Sequence, residues 1–413
     1  MKLAPMALLA ALATAAAAAP MWRAFQVPSP RGTDFDAGFD ISAVVEQAKR
    51  LASHSWEYGT LAEALLELYN PEYAVYYREA FPDGAVPTPS PRIPALSYAS
   101  QKFNFAEGTL SPGDGANGDP ASLGVSAILL SPTNDTVKQA ASKQLEHLFA
   151  APRFYNGAIS QRDAVPELWA DGMSMIQPFM AYYGASTNNA SMIKDAGRQE
   201  LLYRDVLIAN TTEPWKGLLT HIVGPQAQTL GIWATGNGWA ALGMARVLAT
   251  LKHYAPTKSS SKKLQCEIKD AMLAIFRGLK AVQTEPTTGL WRNYLVGGPQ
   301  SQNQTGQSWF GDASGSAALV AGALRLAVLE PDTCWELYES TKDVRDAVVR
   351  SVDPNTGIAK PTVNPLDWYT TEAYTKGSPE GQAFVINMYA AWRDCVKHSC
   401  CPKNDAPSSM YTS

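Results

Sequence analysis

The chain of 413 residues is 46% hydrophobic and 10% aromatic but only 17% charged, against the roughly 25% usual for soluble domains, so it has ample material for one large core. A net charge of −4 and the lack of any basic run exclude an electrostatic case for nucleic-acid binding. In chain order, the first residues, MKLAPMALLAALATAAAAAP, set Lys2 before a short apolar segment and small residues suited to cleavage. They read as a signal peptide over 1–19, with the cleaved bond somewhere among Ala16 to Ala19. The expected mature protein is secreted: a single domain over 20–413 with a short C-terminal tail, monomeric and free of the membrane. The most apolar later run, 317-AALVAGALRLAVLE-330, is too short to span a bilayer and carries Arg325.

Apolar residues then recur at three- and four-residue spacing near 41–52, 58–69, 93–106, 121–131, 135–150, 171–184, 189–209, 238–254, 261–281, 313–329, 334–351 and 381–396, which predicts helix nearly throughout. β-branched alternating runs are scarce, and no glycine-rich nucleotide loop is present. The sequons at Asn134, Asn189, Asn210 and Asn303 are surface glycan candidates in an exported eukaryotic chain. Cys266, Cys334, Cys395, Cys400 and Cys401 lack C-x-x-C spacing, so disulfides with one thiol left over are expected rather than a metal site; the pairing is not legible.

The helices fall into two kinds. Every second one is rich in Ala, Gly, Ser or Met and opens with a short polar motif: 57-EYG, 119-DPASLG, 171-DGMSM, 236-GNGWAALG, 312-DASGSAA and 379-PEGQAF. The helices between them, such as 135-DTVKQAASKQLEHLF-149, are charged on one side, as solvent-facing helices are. Six pairs of this kind predict an all-α (α/α)6 toroid. Its inner helices run parallel, so their openings gather at one mouth and line a pocket there.

The string 168-LWADGMSM-175, the later His221 and 233-WATGNGWAALGMARVL-248 resemble the unsaturated rhamnogalacturonyl hydrolases of glycoside hydrolase family 105 and the related unsaturated glucuronyl hydrolases. The segments 289-GLWRNYLV-296, 356-TGIAKP-361 and 379-PEGQAFVINMYAAW-392 are similar to the family's closing repeats, so the resemblance covers most of the chain from about residue 40. It implies removal of a terminal 4,5-unsaturated uronic acid from an oligosaccharide left by a polysaccharide lyase. Water adds across C4=C5, and the hemiketal opens to release the sugar, with no cofactor or metal.

The resemblance implies that Asp171 is the catalytic acid and base. By position alone, an Asp just before a helix is also a preferred N-cap. Asp119 is the candidate second carboxylate, with Asp114 as fallback; Pro120 beside it suits a cap as well. Trp169, His221, Trp233, Asn237, Trp239 and Arg162 are the candidate substrate-binding residues, although a lone His or Trp also serves in cores. One departure stands out. Thr235 occupies the place of the family's usual arginine in W-x-R-G-N-G-W, so an anion clamp is expected to be missing there, with Arg162, Lys216, Arg292 or Lys360 as replacements. A carbohydrate-binding protein with a decayed site, or another (α/α)6 glycosidase or lyase, are the alternatives.

Overall fold

A computed structural model describes residues 35–301 and 309–403. Its helices in chain order are α1 (Ile41–Leu51), α2 (Ser55–Tyr69), α3 (Pro94–Ser100), α4 (Gly118–Ala121), α5 (Gly124–Leu130), α6 (Asp135–Ala150), α7 (Gly172–Ser186), α8 (Ala190–Leu207), α9 (Ala234–His253), α10 (Ala255–Lys258), α11 (Lys262–Leu279), α12 (Ala313–Leu329), α13 (Cys334–Ser351) and α14 (Pro379–Lys397). The only ladders among the described residues are two antiparallel strand pairs: β1 (Leu168–Trp169) with β2 (Ile222–Val223), and β3 (Ile232–Trp233) with β4 (Tyr294–Val296). Helix α2, the α4–α5 pair, α7, α9, α12 and α14 pack side by side in that order, and α14 returns to α2. Outside them, α1 rests on α14, α3 on α2 and α5, α6 on α5, α8 on α7 and α9, α11 on α9, and α13 on α12. This is the (α/α)6 toroid.

Composition explains which helix goes where. The inner helix α9 is buried along nearly its whole length, whereas outer α11 buries one stripe that includes Ile268, Ala271, Met272 and Ile275. Small residues let the inner helices approach closely. At Gly243 of α9 a Cβ would lie 2.0 Å from the Met173 carbonyl of α7, so no other residue fits. Polar side chains set several starts: Asp40 accepts from Ser42 and Ala43 N–H, Asn134 from Thr136 and Val137, and Asp312 from Ser314 and Gly315. The run expected over 93–106 is helical only to Ser100, because Asn104 turns its side chain to the Ala106 N–H and starts a 3-10 turn instead.

Asn134, Asn189 and Asn210 are exposed, while Asn303, the segment 1–19 and the end of the C-terminal tail lie outside the described residues. Cys334 pairs with Cys400 and Cys395 with Cys401, tying the chain end to α13 and α14; Cys266 is the thiol left over.

The ring closes through a buried charge network. Arg325 of α12 reaches Glu67 of α2 at 2.6 Å and Asp394 of α14 at 2.7 Å. Arg393 beside it donates to the Glu67 and Leu68 carbonyls, both at 2.8 Å, and to Asp394 at 2.9 Å. Burial alone would raise the Asp394 carboxyl; Arg325 and Arg393 outweigh it and hold the group below its ordinary value. Arg325→Leu strands Glu67 in the interior, and we expect it to cost about 3–5 kcal/mol in reversible denaturation. A loss under about 1 kcal/mol, the range of an exposed pair, would show that the network does not hold the closure.

Candidate active site

Five of the six inner openings line one mouth; that of α12 contributes no lining residue. A cavity of about 240 Å³ is lined by His54 and Trp56 at the start of α2, Asp119 from α4, Asp171 and Met175 at the start of α7, Trp233 before α9, Glu380 from α14 and Trp169 of β1, with Asp114, Gln161, Arg162, His221, Leu366 and Trp368 from loops. Of the residues singled out in the sequence, it brings together Asp171, Asp119, Asp114, Arg162, Trp169, His221 and Trp233.

The strand pairs do the positioning. Pairing of Leu168 with Val223 and of Trp169 with Ile222 lays the two segments together, and the Ala170 N–H donates to the His221 carbonyl at 2.9 Å. His221 Nε2 consequently stands 3.3 Å from Asp171 Oδ2. The imidazole is buried against Trp233, with ring centres 4.2 Å apart, and Trp368 meets it edge-on at 5.3 Å. Trp169 is held by its indole N–H on Glu167 at 2.7 Å. Fully buried Glu167 also accepts the Gln226 and Ala227 N–H groups, both at 2.7 Å, so it fixes the aromatic wall.

Asp171 makes no capping bond from its side chain although it stands at the N-cap position, and Oδ2 has no hydrogen-bond partner among the described residues. The sequence left two roles open for this carboxyl; the side chain makes no cap, and the residue lines the cavity beside His221. Asp119 is tied instead: Gln161 Nε2 donates to its Oδ1 at 2.8 Å. A Cβ at Gly118 would lie 2.2 Å from Gln161 Oε1, which is why a glycine stands beside Asp119. Burial, then the charge of Asp171, push the Asp119 carboxyl up to about 7; Arg162 and the Gln161 bond oppose this only in part. Asp114 is exposed at the rim, with φ at 50°, and its carbonyl accepts from Arg162 at 3.3 Å.

Two expected ligand contacts are corrected. Asn237 does not line the cavity: fully buried, it donates to the Leu219 and Trp233 carbonyls and accepts the Leu219 N–H, all at 2.9 Å, and so splices the histidine segment to α9. Trp239 lies deeper, edge-on to Phe384 at 4.6 Å, in the wall of a separate small void inside the ring. The missing arginine is also relocated. Thr235 is fully buried and donates to Asp312 Oδ2 at 3.0 Å, so its side chain belongs to the α9–α12 contact rather than to the cavity. Of the proposed replacements, only Arg162 lines the cavity; Lys360 pairs with Asp353 at 2.7 Å, and Arg292 donates to the Trp309 carbonyl at 2.6 Å. Lys216 is not among the lining residues.

Sequence reasoning missed Glu380, Trp368, Gln161 and the His54–Trp56 pair, whose rings stack at 4.6 Å. Glu380 carried a signal, since it sits in the first turn of an inner helix as Asp119 does. Trp368 carried none, being one aromatic in a loop without periodicity.

Comparison with known proteins accords with this geometry. The sequence profile of Glycosyl Hydrolase Family 88 matches residues 42–392. An unsaturated rhamnogalacturonyl hydrolase of Bacillus subtilis, YesR, is 28% identical over 172 residues, which are 39% of this chain and 46% of the relative, so the match spans about half that enzyme's length. A crystal structure described as a possible member of family GH105, from Salmonella enterica, superposes with a TM-score of 0.63 at 15% identity, covering 92% of this chain and 100% of that one. An α-1,6-mannanase of Salegentibacter superposes at 0.57 with 13% identity over 86% of this chain and 99% of its own, so the toroid alone does not fix the chemistry. With its profile match running through all six inner helices, the chain belongs to glycosyl hydrolase family 88.

Proposed function

We propose that this protein removes a terminal 4,5-unsaturated uronic acid from lyase-generated oligosaccharides by adding water to the C4=C5 bond. The observation that carries the reading is a pair of carboxyls, Asp119 and Asp171, in one aromatic-walled cavity, the first kept protonated up to about pH 7. Hydration of a vinyl ether needs one proton delivered and one taken away, and a pair that shares a single proton near neutrality supplies both. The proton goes to C4, forming C4–H and leaving positive charge shared between C5 and the ring oxygen. Water adds at C5 and its proton returns to the carboxyl pair. The resulting hemiketal then opens and expels the remaining oligosaccharide.

Asp171, whose Oδ2 stands 3.3 Å from His221 Nε2, is assigned the transfers at C4 and C5, delivering the proton that the carboxyl pair holds. Asp119 is assigned the substrate hydrogen bond and the proton count of the pair. Trp169, Trp233 and Trp368 offer apolar faces to the flattened sugar, and Arg162 offers a cation to the uronate carboxylate. With residues 1–19 as an export signal, we place the enzyme outside the cell, acting as a monomer on oligosaccharide fragments.

Asp171→Asn keeps shape but cannot exchange a proton, so turnover should drop by about 10²–10⁴-fold with substrate affinity nearly intact. The readout is loss of the ultraviolet absorbance of the unsaturated end. Wild-type rates in this variant would return Asp171 to a structural role.

The raised Asp119 group predicts the pH profile. Its neutral form prevails below about 7 and is lost above it, so kcat/KM should decline as pH rises through about 7. Asp119→Asn stays neutral, and its residual activity should lack that decline; an unchanged alkaline limb in the variant would assign the titration elsewhere.

A further inference from the structure

A further carboxyl lines the same cavity. Glu380, in the first turn of α14, is 2% exposed, and its Oε2 accepts the Trp56 indole N–H at 3.2 Å. Its Oε1 is buried with no hydrogen-bond partner among the described residues. The charges that act on it, Asp171, Glu57 and Asp312, are all acidic. An ionised carboxylate in that position would be buried among like charges with no cation to offset it, which strongly favours the neutral acid. Burial followed by these neighbours accordingly raises the Glu380 carboxyl well above its ordinary value.

A neutral carboxylic acid is a donor as well as an acceptor. The Trp56 N–H satisfies one acceptor site on Glu380, and nothing among the described residues receives its O–H. A buried donor without an acceptor is costly, so such groups are paired in working sites. Glu380 lines the cavity, so the missing acceptor is assigned to the ligand there.

We propose that Glu380 is a specificity-determining residue of this site, held by Trp56, whose carboxylic O–H is donated to an oxygen of the bound uronate. The assignment rests on the hydration reading above for the identity of the ligand, though not for the state of the side chain. It also accounts for how an anionic sugar enters a cavity with four carboxyls and one guanidinium: Glu380 contributes a donor in place of a negative charge.

The test combines infrared spectroscopy with kinetics. At pH 7, difference spectra of wild type against Glu380→Gln should show a protonated-carboxyl C=O band in the wild type that the variant lacks; no such band overturns the proposal, whatever the enzyme does. Glu380→Leu should raise KM for the unsaturated oligosaccharide about 10–100-fold with kcat little changed, as loss of a buried hydrogen bond predicts. Glu380→Gln, whose amide still donates, should restore KM to within about 3-fold of wild type. Equal damage from Gln and Leu, with circular dichroism showing both folded, would mean that an ionisable carboxyl is required and would overturn the donor role. If the wild type turns over no unsaturated substrate, the hydration reading fails separately. Calorimetric titration of wild type, Gln and Leu proteins with a saturated uronate-ended oligosaccharide then applies the same criterion to Kd.

Discussion

Closure of the inner ring is the constraint from which the site follows. The buried Arg325 joins Glu67 and Asp394 across α2, α12 and α14, bringing the first inner helix against the last. With their far ends joined in this way, the openings of α2 and α14 also meet, which is why Trp56 and Glu380, 324 residues apart in sequence, share a hydrogen bond. A buried ion network of this kind gives little net stability over an apolar equivalent, but breaking one member leaves the others uncompensated. Here it fixes which helices are neighbours.

Chemistry at the mouth then depends on desolvation more than on any single contact. Asp119, Asp171 and Glu380 approach one small cavity from three different inner helices, and burial, followed by the Asp171 charge, makes ionisation of Asp119 and of Glu380 harder. His221, Trp233 and Trp368 wall the space with their rings, and Arg162 is the cation that lines it. Such a site suits proton transfer to an uncharged carbon–carbon bond. The mannanase and family 105 structures share the ring, so these side chains, and not the toroid, distinguish what each can do.

Much of this was legible in the sequence, for a physical reason. Inner helices must be apolar and small-sided all round, outer helices on one face only, and that contrast shows directly in strings such as 236-GNGWAALG and 135-DTVKQAASKQLEHLF-149. Since the openings are polar interruptions of apolar helices, Asp119 and Asp171 stood out. What could not be read is direction. Asn237 and Trp239 lie in the first turns of α9, close after the lining residue Trp233, yet the helix turns Asn237 onto the Leu219 backbone and Trp239 toward Phe384. Thr235 likewise faces Asp312, a partner 77 residues away that no local pattern reveals. Trp368 sits in an irregular loop, where neither periodicity nor a motif marks a ligand-facing side chain.

The central claim is that water adds to a double bond instead of displacing a glycosidic oxygen. The most direct measurement pairs two disaccharides that differ only in whether the terminal uronate is 4,5-unsaturated or saturated, and follows release of the second sugar from each. Hydration predicts release from the unsaturated compound alone, in step with its loss of ultraviolet absorbance. Release from the saturated compound at a comparable rate would contradict it and place the enzyme among ordinary glycosidases of the same fold.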